Sequence, residues 1–464
     1  MGRTNKAQQS LKRRHEPVKM ELPVELKSVN LNAAGIDIGS RHHFVAVPEG
    51  RDKVSVKQFG VFTADLEELA EWLYQCGVTT VAMESTGYYW IPVFELLEGK
   101  GFAVKLVDAR QTKNVSGRKS DMLDCQWQRE LHTVGLLKGA FRPPDEVCVI
   151  RGYMRQREML VQASSMHIQH MQKALTLMNL RLGNVVSDIT GVTGMKIIKA
   201  IIGGERNPQV LASNRTEQCQ HSQKVIAKSL QGNYRAEHLF ALQQALELYE
   251  VYQEKIKDCE RELMKVIQQQ PHKTEEEPPP AEQKLRRRDK VRGEVDVRSE
   301  LYKQTGVDLY RVPGLGPETL LTLRGEVGLD MTPWKTEKLF SSWLGLCPGT
   351  RESGGKVLSR RSKRSRSRAA AAFRIAAASL RNSRTALGAF YRRIRARSGE
   401  AKAVTATAHK LAKIYYRLLK YGEAYVELGE KAYEERYQQQ RVKALKKQAA
   451  LLGFALVATA LSQT

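Results

Sequence analysis

Four carboxylates are placed where they can do metal chemistry. Asp37 stands near the end of a short strand-like run, Ala33 to Ile38, and Glu84 follows another, Val78 to Met83. Asp121 and Asp124 are three residues apart, so on a helix they share a face. Side chains at the ends of neighbouring strands converge, and a helix can bring the last pair alongside. Hard oxygen donors of this kind suit Mg²⁺. Two such ions, ~3.5–4 Å apart, can polarise a phosphodiester and stabilise its attacking and leaving oxygens. Single carboxylates at strand ends are also common solvated loop residues. Asp108, at the end of a third run, shows how readily such positions arise, and an isolated Asp-x-x-Asp pair usually marks an exposed helix face.

A second group lies far along the chain. Val312-Pro313-Gly314-Leu315-Gly316-Pro317-Glu318-Thr319 leads into the apolar-patterned Leu320 to Val327. A turn of this kind, with Gly314 and Gly316, exposes backbone N–H groups that can hold a DNA phosphate. It serves equally well as an ordinary link between helices. The stretch from Leu344 to Lys356 reads as a loop, with Ser353 between Glu352 and Gly354. Taken alone, Ser353 is a turn serine. From Arg351 through Arg368 there are eight Lys and Arg against one acid, Glu352. Arg351, Lys356, Arg360, Arg361, Lys363 and Arg364 are therefore expected to contact phosphates, with an affinity that falls steeply with salt.

The elements that must position these residues follow from periodicity. Phe44 to Val47 reads as a hairpin partner for the first strand, Leu66 to Tyr74 as a helix, and β-branched Val78 to Met83 as a buried strand. Trp90 to Leu97 is a helix and Ala103 to Val107 a strand, so the fold class is α/β followed by α. We divide the chain into a basic flexible arm (1–31), an α/β domain (32–146), coiled-coil helices with an inserted subdomain (147–270), a Pro- and charge-rich linker (271–298), a mostly helical domain (299–428) and a helical tail (429–464).

Composition narrows the partner. The 464 residues carry a formal net charge of +25, which calls for a polyanion. The N-terminus is polar and basic rather than a signal region, and the longest apolar run, Ala449 to Leu461, is shorter than the ~20 residues a spanning helix needs. Nucleic acid is favoured over a membrane. The six cysteines lack any CxxC spacing and read as reduced thiols packed as small apolar residues.

Together these segments resemble one family, the DEDD-type transposases of bacterial insertion sequences, also described as bridge-RNA-guided serine recombinases. The resemblance is carried by Gly35-Ile36-Asp37, Met83-Glu84-Ser85-Thr86-Gly87, Arg118 through Asp124, the Val312–Thr319 turn, Leu344–Gly354 and His409-Lys410-Leu411-Ala412-Lys413. It covers about residues 32–182 and 299–428. It implies a RuvC-like RNase H fold, with Asp37, Glu84, Asp121 and Asp124 as a Mg²⁺-binding tetrad and Ser353 as the nucleophile. It further implies a phosphoserine intermediate, a structured guide RNA pairing with donor and target DNA, a homo-oligomer, and a cytoplasmic, nucleic-acid-associated bacterial protein. The region between the long helices, the Pro-rich linker and the Arg360–Arg368 run depart from the family pattern. Two other readings compete: a junction nuclease that uses the tetrad and water, and a non-catalytic nucleic-acid-binding protein.

Overall fold

A computed structural model describes residues 30–85, 87–108, 121–280, 291–292, 295–359, 362, 367–422, 425, 429–455 and 457; of 121–123, 291–292 and 351 it describes the backbone alone. The chain divides into two compact units between Arg142 and Pro143.

The first unit is a five-stranded sheet with helices. Its elements are β1 (Ala33–Ile38), β2 (His43–Ala46), β3 (Val56–Phe59), α1 (Thr63–Gln75), β4 (Thr80–Glu84), α2 (Trp90–Gly99), β5 (Ala103–Val107) and α3 (Asp121–Thr133). The strand order is β3-β2-β1-β4-β5. The first three strands are antiparallel, while β1, β4 and β5 run parallel. Strand alternation then separates two faces. Ala34, Ile36, Ile38, Val81 and Met83 join the core with Leu69, Leu73, Phe94 and Leu97 of α1 and α2. The opposite face holds Gly35, Ala46 and Ala82, which lie side by side in register. Small residues in a row let a helix approach the sheet, and α3 occupies that place. A Cβ added at Gly35 would stand 2.3 Å from the Cys125 carbonyl oxygen and 2.4 Å from the Arg129 nitrogen. Arg142 closes the unit, over the Phe94 ring and paired with Glu95 and Glu98 of α2.

The second unit is mostly helical. Two 33-residue helices, α4 (Asp145–Leu177) and α8 (Ala236–Gln268), run antiparallel. Arg157 pairs with Glu260, Ser164 accepts from Gln253, and the His167 and Tyr252 rings stack. Between them α5 (Val192–Ile202), α6 (Pro208–Ser213) and α7 (Gln223–Ser229) form a module with its own apolar core. Residues 271–280, which composition assigns to a linker, are strapped along α9 (Val297–Thr305): Lys303 O accepts from Lys273 and Thr274, and His272 meets Glu300 at 2.9 Å. A short ribbon, β6 (Val291–Arg292) and β7 (Val295–Asp296), precedes α9.

The remaining elements are α10 (Pro317–Glu326), α11 (Glu337–Trp343), β8 (Arg351–Ser353), β9 (Lys356–Ser359), α12 (Arg368–Ser379), α13 (Ala386–Ser398), α14 (Glu400–Tyr421) and α15 (Gly429–Leu451). Phe340, Phe373, Tyr415 and Tyr416 are fully buried and in ring contact, joining α11 and α12 to α14. The β8–β9 ribbon stands between the two helices this aromatic core fixes. No helix among the described residues is long and apolar enough to cross a membrane.

Candidate functional site

The carboxylates are placed by the sheet register. Ile36 pairs with Met83, and the next residue on each strand is the acid: Asp37 on β1, Glu84 on β4. The two strands are parallel neighbours. Asp37 follows Gly35, and Glu84 follows Ala82, by two positions, so both acids stand on the face that receives α3. Ser85, just past Glu84, anchors the chain by donating its backbone N–H and its hydroxyl to the Val107 carbonyl.

Helix α3 brings the other pair. It begins at Asp121, whose side chain lies outside the described residues, and Asp124 is exposed one turn further on. The buried Cys125 beside it reports on the local field. Burial pushes its thiol up to about 12, and the negative charges of Asp37 and, more weakly, Asp124 push in the same direction. The charges of Asp37 on the sheet and Asp124 on the helix thus act on one buried thiol. Among the described residues no group of three or more His, Cys, Asp or Glu is close enough to hold a metal ion. The donor chemistry still fits a hard divalent ion: two strand-end carboxylates on one face, and a third on the helix seated there.

Ser353 is not in an irregular loop, as its sequence context predicts. It ends β8 and pairs with Lys356 of β9 across Gly354 and Gly355. Both glycines have positive φ, 55° and 74°. This is the two-residue turn that suits the twist of a hairpin and that side chains resist. A Cβ at either glycine would meet nothing within 4 Å, so conformation rather than crowding requires glycine. Ser353, Lys356 and the apolar Val357 and Leu358 are exposed. Of Arg351 only the backbone is described. Arg360, Arg361, Lys363 and Arg364 lie outside the described residues; Ser362 bridges to Pro348 at the ribbon's base.

The glycine turn before α10 divides into two roles. Gly314 has φ 90°, and a Cβ there would come within 2.8 Å of the Ala376 carbonyl oxygen of α12. Packing accounts for that glycine. Gly316 is the N-cap residue and faces open space. The first turn it opens contains Glu318, which pairs with Arg157 of α4 at 2.7 Å.

The Gly35–Ala46–Ala82 row and the place of Cys125 beside it carry no signal in the sequence. The row becomes visible only once strands are paired. All six cysteines are free, as expected, with Cys76, Cys125 and Cys259 buried.

Comparison with known families meets this geometry in both units. Residues 34–180 match the DEDD transposase model of IS110 elements, and residues 308–392 match the model described as "Transposase IS116/IS110/IS902 family". The first span contains all four carboxylates and the second contains the Ser353 ribbon. No curated protein matches the chain. The chain is a transposase, an enzyme that cuts and rejoins DNA. More narrowly, it belongs to the DEDD-type transposases of insertion sequences. The mixed sheet of the first unit is consistent with the RNase H-like domain of that class.

Proposed function

We propose that this transposase exchanges DNA strands through a phosphoserine intermediate formed by Ser353, with Asp37, Glu84, Asp121 and Asp124 as a metal-binding tetrad on a RuvC-like domain. The observation that carries the proposal is the position of Ser353, exposed beside the two-glycine turn of a solvent-exposed ribbon. A two-stranded ribbon fits a DNA groove, and a hydroxyl next to its turn meets the backbone first. When the Ser353 Oγ–P bond forms, the serine proton leaves. One P–O bond to a deoxyribose breaks, and the released sugar oxygen takes up a proton. The ester conserves the energy of the broken bond, so rejoining needs no nucleotide cofactor. Lys356, opposite Ser353, offers a positive charge to the phosphate, and Arg351 and the Arg360–Arg364 run extend that charge along the DNA.

In this reading Asp37 and Glu84 would hold a divalent ion together with Asp124 and Asp121. Mg²⁺ bound there would stabilise negative charge developing on the phosphate oxygens. The four acids belong to the first unit and Ser353 to the second, which is the reason to assign a homo-oligomer assembled on DNA. A structured RNA from the element as the guide accords with a net charge of +25 and with the family's usual partner. Strand exchange with an end-labelled donor tests the reading. Ser353→Ala and Asp37→Asn should each abolish joined product while DNA retention on a filter persists. Exchange at the wild-type level by either variant contradicts the corresponding assignment. Cleavage without joining by Ser353→Ala would indicate the water-using nuclease.

A further inference from the structure

Two non-glycine residues among those described have left-handed backbone, Asn179 with φ 57° and Tyr234 with φ 46°. For a bulky residue such as tyrosine this is a strained conformation, of the kind that collects at functional sites. Both residues line the same cavity, about 570 Å³, in the module between α4 and α8. The chain is pressed into place there. A Cβ at Gly232 would lie 2.2 Å from the Met178 carbonyl oxygen, and the Asn233 N–H donates to that same oxygen at 3.1 Å.

One wall is a stacked cation and ring. The Arg206 guanidinium lies over the Tyr234 ring, 5.0 Å from its centroid, and Arg206 Nη1 donates to the carbonyls of Ile201 and Glu205. The Tyr234 hydroxyl donates to the Leu230 carbonyl at 2.6 Å, which fixes the ring. The amides of Asn179, Gln231 and Asn233 complete the lining. Gln231 also borders a second cavity, about 640 Å³, walled by Gln209, Gln223, Lys224 and Lys228. Lys224 and Lys228 are one turn apart on α7, exposed, and without an ion-pair partner among the described residues. No Asp or Glu among the described residues lines either cavity. From Asn179 to Arg235 there are eight Lys and Arg against three Asp and Glu.

We infer that this module holds an unpaired nucleotide of a single-stranded nucleic acid. The Arg206–Tyr234 wall stacks the base, the amides meet donors and acceptors on its edge, and Lys224 and Lys228 take the phosphates that follow. A base inside a duplex cannot enter, since its faces are already stacked. The inference is independent of the Ser353 chemistry and of any guide.

The test is photo-crosslinking of the full-length protein with single-stranded 12-mers carrying 5-bromouridine or 5-bromodeoxyuridine, followed by peptide mapping. A crosslink is expected in the peptide containing Tyr234, competed by unlabelled single strands and not by the matching duplex. Lys224→Ala with Lys228→Ala, both on the surface, should lower that crosslink about tenfold, as should Tyr234→Leu. Tyr234→Phe should retain it, because stacking survives. Preference for the ribo- or the deoxy-oligomer assigns the strand as RNA or displaced DNA, and either supports the site. Crosslinks confined to other peptides, equal competition by duplex, or a Tyr234-peptide crosslink unaffected by the lysine pair would overturn the inference.

Discussion

Gly35 has no side chain because α3 leaves no room for one. Gly35→Ala would drive a Cβ to 2.3 Å from a backbone oxygen, and overpacking of this kind costs about 1–3 kcal/mol. We expect an earlier first transition in urea and weakened metal binding, since α3 carries two of the four acids. A wild-type midpoint would mean that α3 is not seated on this strand. Asp37→Asn keeps shape and removes charge; it should weaken Mg²⁺ binding by titration calorimetry without moving that midpoint. His132, at the C-terminal end of α3, is 1% exposed, with Nε2 2.9 Å from the Thr80 hydroxyl. Burial, assisted by Lys105, lowers its pKa to about 4 from the ordinary 6.5. The unfolded chain therefore binds the extra proton first, and stability is lost as pH falls from about 6.5 towards 4. At about 1.4 kcal/mol per unit the upper bound is about 3 kcal/mol. His132→Gln should flatten unfolding free energy across that window; an unchanged pH profile would show that His132 is not the group responsible. These residues were unequally legible. Asp37 and Glu84 could be placed near strand ends from the sequence, because the runs Ala33–Ile36 and Val78–Met83 stop at each. Gly35 and His132 could not, because their constraints come from contacts across the sheet.

At the scale of elements, the ribbon carries Ser353, the proposed nucleophile, while its exposed strands add little to any core. Gly354→Val with Gly355→Val places β-branched residues at φ 55° and 74°, a conformation costing roughly 1–2 kcal/mol each. Two-stranded ribbons are marginal by themselves, so strand exchange should fall at least tenfold while the thermal midpoint stays within about 2 °C. Retained exchange would detach the turn geometry from the chemistry. The basic run follows the ribbon in sequence. Neutralising Arg360, Arg361, Lys363 and Arg364 should flatten the dependence of duplex binding on salt by about 0.9 in log–log slope per lost phosphate contact; an unchanged slope would mean that they are merely solvated. Helices α1 and α2 and strands β4 and β5 were legible because their apolar spacing is long and regular. β3, Val-Lys-Gln-Phe, is too short to show alternation. The ribbon was missed although Gly354-Gly355 is a two-residue hairpin signal, since its exposed strands bury nothing and so leave no periodicity. The Pro and Glu content of 271–280 signals a linker and cannot show where it runs, because its contacts are backbone bonds and ion pairs to α9.

For the whole molecule, a surplus of 75 Lys and Arg over 50 Asp and Glu makes nucleic acid the natural partner, and the transposase matches in both units supply the DNA. Purification from cells bearing the intact element should recover an enriched RNA from its noncoding end; recovery of bulk cellular RNA alone would remove the guide from the account. The pairing of acids in one unit with a serine in the other could be read along the chain as an order of motifs. How they would act together could not, because no local pattern in the sequence relates one unit to the other. The most direct test of the serine chemistry is denaturing electrophoresis of the purified full-length protein after incubation with labelled donor DNA and Mg²⁺. The account predicts a shifted, protease-sensitive band that disappears in Ser353→Ala while DNA binding is retained. A band that persists in Ser353→Ala, or wild-type cleavage that leaves free 5′-phosphate ends and no trapped adduct, would contradict it.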